Sequence, residues 1–421
     1  MQVKIEPIKP IGTVSAIASK SDAHRAIICA ALSNEKTSIH ISHISKDIEA
    51  TLNCIKSIGA SFVKKNNAYE ITPVEAPLQN PVLDCNESGS TLRFLLPVIS
   101  ALGSGATFIG AGRLPERPMG LIVDLLKEHG NAFSSSKLPI TVSGRTKAGI
   151  FPIGGNVSSQ FISGLLFALP LLKAESIIKL TSNLQSAAYV NMTICTLKRF
   201  GVNIKQSENE FIINGKDTYN SPKEYVVEGD WSNAAFFMVL GAIGGKVTIR
   251  NLDLNSNQSD KMLLDALSLA GVNYTVSGSE ITVEKSEIKP FTFDVSGCPD
   301  LFPILSVLAC GAKGRSILYN AERLRIKESD RIKTTKELIV NLGGNAEETN
   351  DSLIIYGNGM LNGGTVESFN DHRIAMCAFA ASAICENDVI LKDVQAIEKS
   401  YPSFMEDFMS IGGNVNVISD R

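Results

Sequence analysis

No apolar run in this chain is long enough to cross a bilayer. The longest, such as Phe161–Leu172 and Ile374–Cys385, are short, and Pro170 interrupts the first; they suit buried helices. The opening residues Met1-Gln2-Val3-Lys4-Ile5-Glu6 lack a basic start followed by an apolar stretch, so a cytoplasmic location is expected rather than secretion. The eight cysteines include no C-x-x-C pair and sit singly in apolar company. Reduced, buried thiols are expected, and a metal site is not. Charge of one sign is also missing. Lys and Arg number 40 against 43 Asp and Glu, a net charge of −3, which argues against nucleic acid or a membrane surface as the main partner. Any cationic site must then be local. There is no low-complexity tract, and an apolar content of 44% is enough for ordinary globular cores. At 421 residues the chain exceeds what one core usually holds, so two domains are expected.

What the sequence does contain is a repeat. Leu197-Lys198-Arg199-Phe200-Gly201-Val202-Asn203-Ile204 reads as the end of an amphipathic helix, a helix-ending glycine and the start of a strand, with a polar turn and a second strand following. The same phrase recurs around Gly59, Gly130, Gly271, Gly343 and Gly412, at steps of 71, 71, 70, 72 and 69 residues. A second helix keeps the same interval, with apolar runs beginning near Ala23, Thr91, Phe161, Ala234, Leu301 and Ile374. Six copies of a βαβαββ unit are therefore expected. Ser21, Ser90 and Ser159 precede the first three runs, and Asp230, Asp300 and Asp371 the last three. Both types suit helix N-caps, and the change of type divides the copies into two sets of three. The polar link Gly215–Glu224 marks the join, placed at 225/226.

Chemistry-bearing residues gather where these helices begin. Ser19-Lys20-Ser21-Asp22-Ala23-His24-Arg25 brings an ammonium, a guanidinium, a hydroxyl and backbone N–H groups to the positive end of one helix. The same residues also read as a capping box with solvated charges. Asp47, opening the next helix, is a cap or a partner for a nearby base. Glu87-Ser88-Gly89-Ser90-Thr91-Leu92-Arg93 opens the equivalent helix of the second copy, where Gly89 allows close approach to the backbone. The loop ending Glu116-Arg117-Pro118-Met119 carries another arginine, and Ser158-Ser159-Gln160 opens the third copy. In the second half, Cys298-Pro299-Asp300, Lys327-Glu328-Ser329-Asp330-Arg331, Asn370-Asp371-His372-Arg373 and Glu398-Lys399-Ser400-Tyr401-Pro402 hold comparable places. Each motif alone is as well explained by capping or a salt-bridged surface. Together they put Lys20, Arg25, Arg93, Arg117, Lys327, Arg331, Arg373 and Lys399 near helix starts. A weakly acidic chain that places its bases this way is arranged for small polyanions, with Asp300 and Glu328 as candidate acid/base groups.

In this order and at these intervals the motifs closely resemble the 5-enolpyruvylshikimate-3-phosphate (EPSP) synthase family over the whole chain. The resemblance implies an α/β fold of two similar domains. Each would hold three βαβαββ repeats about a pseudo-threefold axis, an inside-out α/β barrel, with residues 1–12 joining the C-terminal domain and the active site in the cleft between the two. It implies transfer of the enolpyruvyl group of phosphoenolpyruvate to the 5-hydroxyl of shikimate 3-phosphate, without metal or organic cofactor, by a monomer. Shikimate 3-phosphate would be held by Lys20, Ser21, Arg25, Ser158, Ser159, Gln160, Ser186, Tyr189, Asp300, Arg323 and Lys327. Phosphoenolpyruvate would be held by Lys20, Gly89, Arg117, Gln160, Arg331, Arg373 and Lys399. Asp300 would take the hydroxyl proton, while Glu328 and Lys20 serve the methylene carbon and the leaving phosphate. Glu87, Ala187, Ala188 and Arg323 depart from the family's usual residues. The sister transferases that act on UDP-N-acetylglucosamine carry Lys-Asn at the first motif and a loop cysteine. This chain has Lys20-Ser21 and no cysteine in Gly110–Met119. A non-catalytic anion-binding scaffold is the other alternative.

Overall fold

The computed structural model describes residues 1–419. Twelve α-helices alternate with strands and short 3-10 turns. They are α1 (Lys20–Leu32), α2 (Lys46–Ser57), α3 (Gly89–Leu102), α4 (Gly120–Glu128), α5 (Ser159–Ala168), α6 (Ala187–Arg199), α7 (Trp231–Gly244), α8 (Leu263–Leu269), α9 (Phe302–Cys310), α10 (Arg331–Asn341), α11 (His372–Ala381) and α12 (Phe404–Ser410). No helix among the described residues is long and apolar enough to cross a membrane.

The odd-numbered helices are apolar nearly all round, and that composition sends them inside. Every residue of α7, α9 and α11 is buried, and these three helices pack pairwise against one another. In the other half α3 lies along α5 so closely that a Cβ on Gly164 would overlap the carbonyl oxygen of Arg93. Even-numbered helices such as α2 bury one face only. All six repeat glycines follow the ends of these outer helices at positive φ, from +74° to +112°. A left-handed residue there lets the chain turn into the next strand, and glycine adopts it without a Cβ clash. In the third repeat, for example, Gly201 and Val202 donate backward to the carbonyls of Lys198 and Leu197.

Each repeat makes one four-stranded sheet. In the third, Ile150–Ile153 pairs in parallel with Ser176–Leu180, which pairs antiparallel with Glu210–Ile213, and Ile204–Gln206 forms the far edge. Three sheets borrow a strand. The strand before α1, Ile11–Ser15, pairs with Lys246–Arg250 of the fourth repeat, whereas the strand before α7, Glu224–Val226, pairs with Thr37–His40 of the first. Gln2–Ile5 sits between Val389–Lys392 and Val415–Ser419 in the sheet of the sixth. The compact units are accordingly 18–227 and 1–17 with 228–421, each a set of three βαβαββ repeats around its own apolar core. The limit implied by the resemblance at 12/13 and the one read from the sequence at 225/226 therefore stand at 17/18 and 227/228 in the structure. The reason is strand pairing, which carries residues 13–17 into the second unit and keeps 226 and 227 in the first.

Two further expectations are corrected. Ser21, Ser90 and Ser159 are not caps. The caps are Ser19, Ser88 and Ser158, whose extended backbones let their hydroxyls accept from Asp22, Thr91 and Gln160 N–H groups. Asp300 likewise lies inside the 3-10 turn Pro299–Leu301, with Cys298 ahead of it, while Asp230 and Asp371 do cap α7 and α11. Seven of the eight cysteines are buried, but Cys195 is exposed, because α6 is an outer helix with one face in solvent.

Candidate active site

Asp300 lies in the 3-10 turn just ahead of α9, while two positions beyond the caps of the other five inner helices stand Ser21, Ser90, Gln160, Ser232 and Arg373. This position faces out of the helix start, where backbone N–H groups lack intrahelical partners, so a polar side chain there works alongside the helix dipole.

In the unit 18–227, Lys20 of α1 is paired with Asp47 of α2 at 2.9 Å, which makes Asp47 the partner of a base, Ser45 being the cap. Arg25 is buried and fully engaged. Its Nε donates to Thr193 Oγ1 at 2.9 Å and a terminal nitrogen to the Tyr189 carbonyl at 2.9 Å, both on α6. The other terminal nitrogen donates to the Ser21 carbonyl, and the guanidinium lies 5.1 Å from the centre of the Phe94 ring. Burial lowers its pKa to about 10, against the pull of Asp22, so it stays charged at neutral pH. Between α3 and α5, Arg93 donates to Gln160 Oε1 at 2.7 Å, and Gln160 Nε2 donates to Ser90 Oγ at 2.9 Å. Arg117 is buried with one guanidinium nitrogen against Gly89, where any Cβ would collide with it. Ser186, in left-handed backbone before α6, accepts from the Tyr189 N–H through its carbonyl. Lys20, Ser21, Arg25, Ser186 and Tyr189 thus meet around the starts of α1 and α6, and Gly89, Arg117, Ser158, Ser159 and Gln160 around those of α3 and α5.

The second unit gathers the remaining residues more tightly. Asp300 is held on both oxygens: Arg331 donates to Oδ1 at 2.8 Å and Arg373 to Oδ2 at 3.0 Å, with Lys327 Nζ 3.8 Å away. Arg331 also donates to Glu328 at 2.8 Å and, through Nε, to Asp371 at 2.8 Å. Arg373 reaches Ser232 Oγ at 2.6 Å and the Asp300 carbonyl at 3.2 Å. Lys399, buried, donates to the Asn370 carbonyl at 2.7 Å. Arg323 lies in the 3-10 turn Glu322–Ile326, close enough to Lys327 to repel its charge. Burial pushes the Asp300 carboxyl up, but Arg373, Lys327 and Arg331 together outweigh it and hold the group well below the usual carboxylate range. Burial also lowers the Lys327 ammonium to about 8, with Asp300 opposing. Burial would lower Arg331 too, yet Asp371, Glu328 and Asp300 raise it.

Some of the supporting residues were not singled out by sequence. Thr193 and Ser163, 2.8 Å apart, brace Arg25, and nothing local marks them. Ser232 could have been found, since it stands in the repeat register of Ser21. Asp371 reads as a cap and is one, but it also grips Arg331.

A family model for EPSP synthase (3-phosphoshikimate 1-carboxyvinyltransferase) matches residues 5–408. A 3-phosphoshikimate 1-carboxyvinyltransferase of Clostridium kluyveri is 42% identical over 418 residues, covering 98% of both chains. An EPSP synthase structure from Acinetobacter baumannii matches with a TM-score of 0.82 at 26% identity, over 99% of this chain and 100% of that one. The enolpyruvyl transferase NikO of Streptomyces tendae shares the fold, with a TM-score of 0.79 at 14% identity over 99% and 98% of the two chains. This chain belongs to the EPSP synthase (3-phosphoshikimate 1-carboxyvinyltransferase) family.

Proposed function

We propose that this chain transfers the enolpyruvyl group of phosphoenolpyruvate to the 5-hydroxyl of shikimate 3-phosphate, releasing phosphate, as a cytoplasmic monomer of the shikimate pathway. The observation that carries the reading is the cluster of Asp300 and Glu328 on Arg331, with Arg373 and Lys327 beside it. It places two carboxylates able to move protons among cations able to hold a phosphate and a carboxylate.

In this reading Lys20, Ser21, Arg25, Ser158, Ser159, Gln160, Ser186 and Tyr189 hold shikimate 3-phosphate, joined by Asp300, Arg323 and Lys327. Lys20, Gly89, Arg117, Gln160, Arg331, Arg373 and Lys399 hold the donor. The 5-hydroxyl oxygen bonds to C2 of the enol as Asp300 takes its proton, and a proton from Glu328 or Lys20 goes to the methylene carbon. The resulting tetrahedral adduct then loses a methyl proton and its phosphate, which restores the double bond. Fixed cations stabilise the charge that develops at C2, and holding both reactants together removes much of the entropic barrier.

The test is phosphate release from phosphoenolpyruvate on adding shikimate 3-phosphate, or UDP-N-acetylglucosamine in its place. Release with shikimate 3-phosphate alone is expected. Release with the nucleotide sugar alone would reassign the acceptor, and none with either would leave an anion-binding scaffold.

A further inference from the structure

Arg331 and Arg373 are the guanidinium groups that the reading above gives to phosphoenolpyruvate, yet both already carry carboxylates. Arg331 has three. Its Nε and one terminal nitrogen bond Asp371, whose side chain is fully buried, and its terminal nitrogens bond Asp300 and Glu328, whose side chains are each 21% exposed. Arg373 holds the second oxygen of Asp300 and is braced by Ser232. An incoming anion cannot displace Asp371 from its buried position. It can compete for the donors that Asp300 and Glu328 occupy, these two carboxylates being the partly exposed ones. The charges facing Asp300 are Arg331 on α10, Arg373 on α11, and Lys327 and Glu328 on the segment before α10.

We infer that the donor's anionic groups take Arg331 and Arg373 away from Asp300, so that binding of phosphoenolpyruvate converts Asp300 from a counter-ion into a proton acceptor. The inference rests on the donor site and the Asp300 role proposed above. A carboxylate with both oxygens engaged by guanidinium groups is a poor base, which matches its lowered pKa. Once the donor claims those groups, a lone pair of Asp300 that a guanidinium held can take the shikimate hydroxyl proton. The acceptor is then activated only when there is an enol for it to attack. Glu328, on the same guanidinium, is released in the same event. Coupling of this kind is reciprocal: if the donor weakens the hold on Asp300, Asp300 must weaken the hold on the donor.

The reciprocity supplies the experiment. Phospholactate has the carboxylate and phosphate of phosphoenolpyruvate but no double bond to react, so its binding can be titrated calorimetrically into protein saturated with shikimate 3-phosphate. Asp300→Asn removes the competing charge and is expected to tighten phospholactate on the order of 10-fold, and Glu328→Gln to tighten it less. Asp371→Asn, which loosens the buried grip on Arg331, is expected to weaken it. If Asp300→Asn binds phospholactate as the unaltered chain does, or more weakly, Asp300 merely organises the arginines and the inference is overturned. Arg373→Ala separates that failure from failure of the underlying reading, because it must weaken phospholactate whether or not Asp300 competes. Should it have no effect, the donor site itself is misassigned. Thermal unfolding of each variant without ligand, and the added stabilisation by phospholactate, keeps the comparison meaningful where a substitution loosens the fold.

Discussion

A single buried guanidinium illustrates how much one side chain can organise. Arg331 is 1% exposed and bonded to three carboxylates. An unpaired buried charge is strongly unfavourable, so its partners are as much a part of the site as the arginine. Three predictions belong at this scale. Asp300→Ala is expected to lower turnover by about 10²–10⁴-fold while calorimetry still shows shikimate 3-phosphate binding; undiminished turnover would remove Asp300 from the chemistry. Lys399→Ala removes a charged donor from beside Asn370 and should raise the KM for phosphoenolpyruvate by roughly 10-fold or more. A change confined to the KM for shikimate 3-phosphate would reassign Lys399 to the other substrate. The third prediction concerns pH. Burial holds Lys327 near 8, below its ordinary 10.5, so in the free protein it is cationic below that value and neutral above. Affinity for shikimate 3-phosphate should therefore fall as pH rises from 7 to 9, and Lys327→Arg, which keeps its charge, should flatten that dependence. A variant that declines as steeply as the parent chain would point to a different titrating group.

At the scale of the element, each inner helix buries most of its length and carries polar residues at its start. In α1, α5 and α11 the cap's side chain satisfies one backbone N–H and Ser21, Gln160 and Arg373 stand two residues further on. Close packing along these helices then fixes where their starts lie. Gly164 on α5 sits against the Arg93 carbonyl of α3, and Arg93 and Gln160 are hydrogen-bonded across the same pair of helices. Gly164→Ala would gain up to about 1 kcal/mol of helix propensity, but the forced separation is worth about 1–3 kcal/mol in the other direction. Net destabilisation in a urea titration is the expected outcome, with weaker substrate binding where Gln160 shifts. A variant more stable than the parent chain would mean that the two helices have room to spare.

For the whole molecule, the exchange of strands ties the chain's beginning to its end. Gln2–Ile5 is flanked on both sides in the last sheet, with Val3 and Ile5 fully buried. Removing residues 1–10 would open that sheet and strip apolar cover from the unit containing 228–421, whereas all of 18–227 remains continuous. Unfolding of such a truncated chain should lose or lower the transition of the second unit and leave that of 18–227 in place. Equal loss from both units would show that they unfold as one.

The interval of about seventy residues, the helix-ending glycines and the βαβαββ order follow from local physics, since each depends on a few neighbouring residues: Gly201 takes positive φ wherever its helix must end, whatever else surrounds it. The motifs at the helix starts were legible for the same reason, being short. Which residue of a motif caps was not, because Ser19 and Ser21 differ only in backbone conformation. Nor could the sequence say that Ile11–Ser15 leaves its own repeat for Lys246–Arg250, or that Asp371, Asp300 and Glu328 all close on Arg331. Strand exchange and shared ion pairs join residues far apart in the chain, and only the packed structure brings those partners within bonding distance.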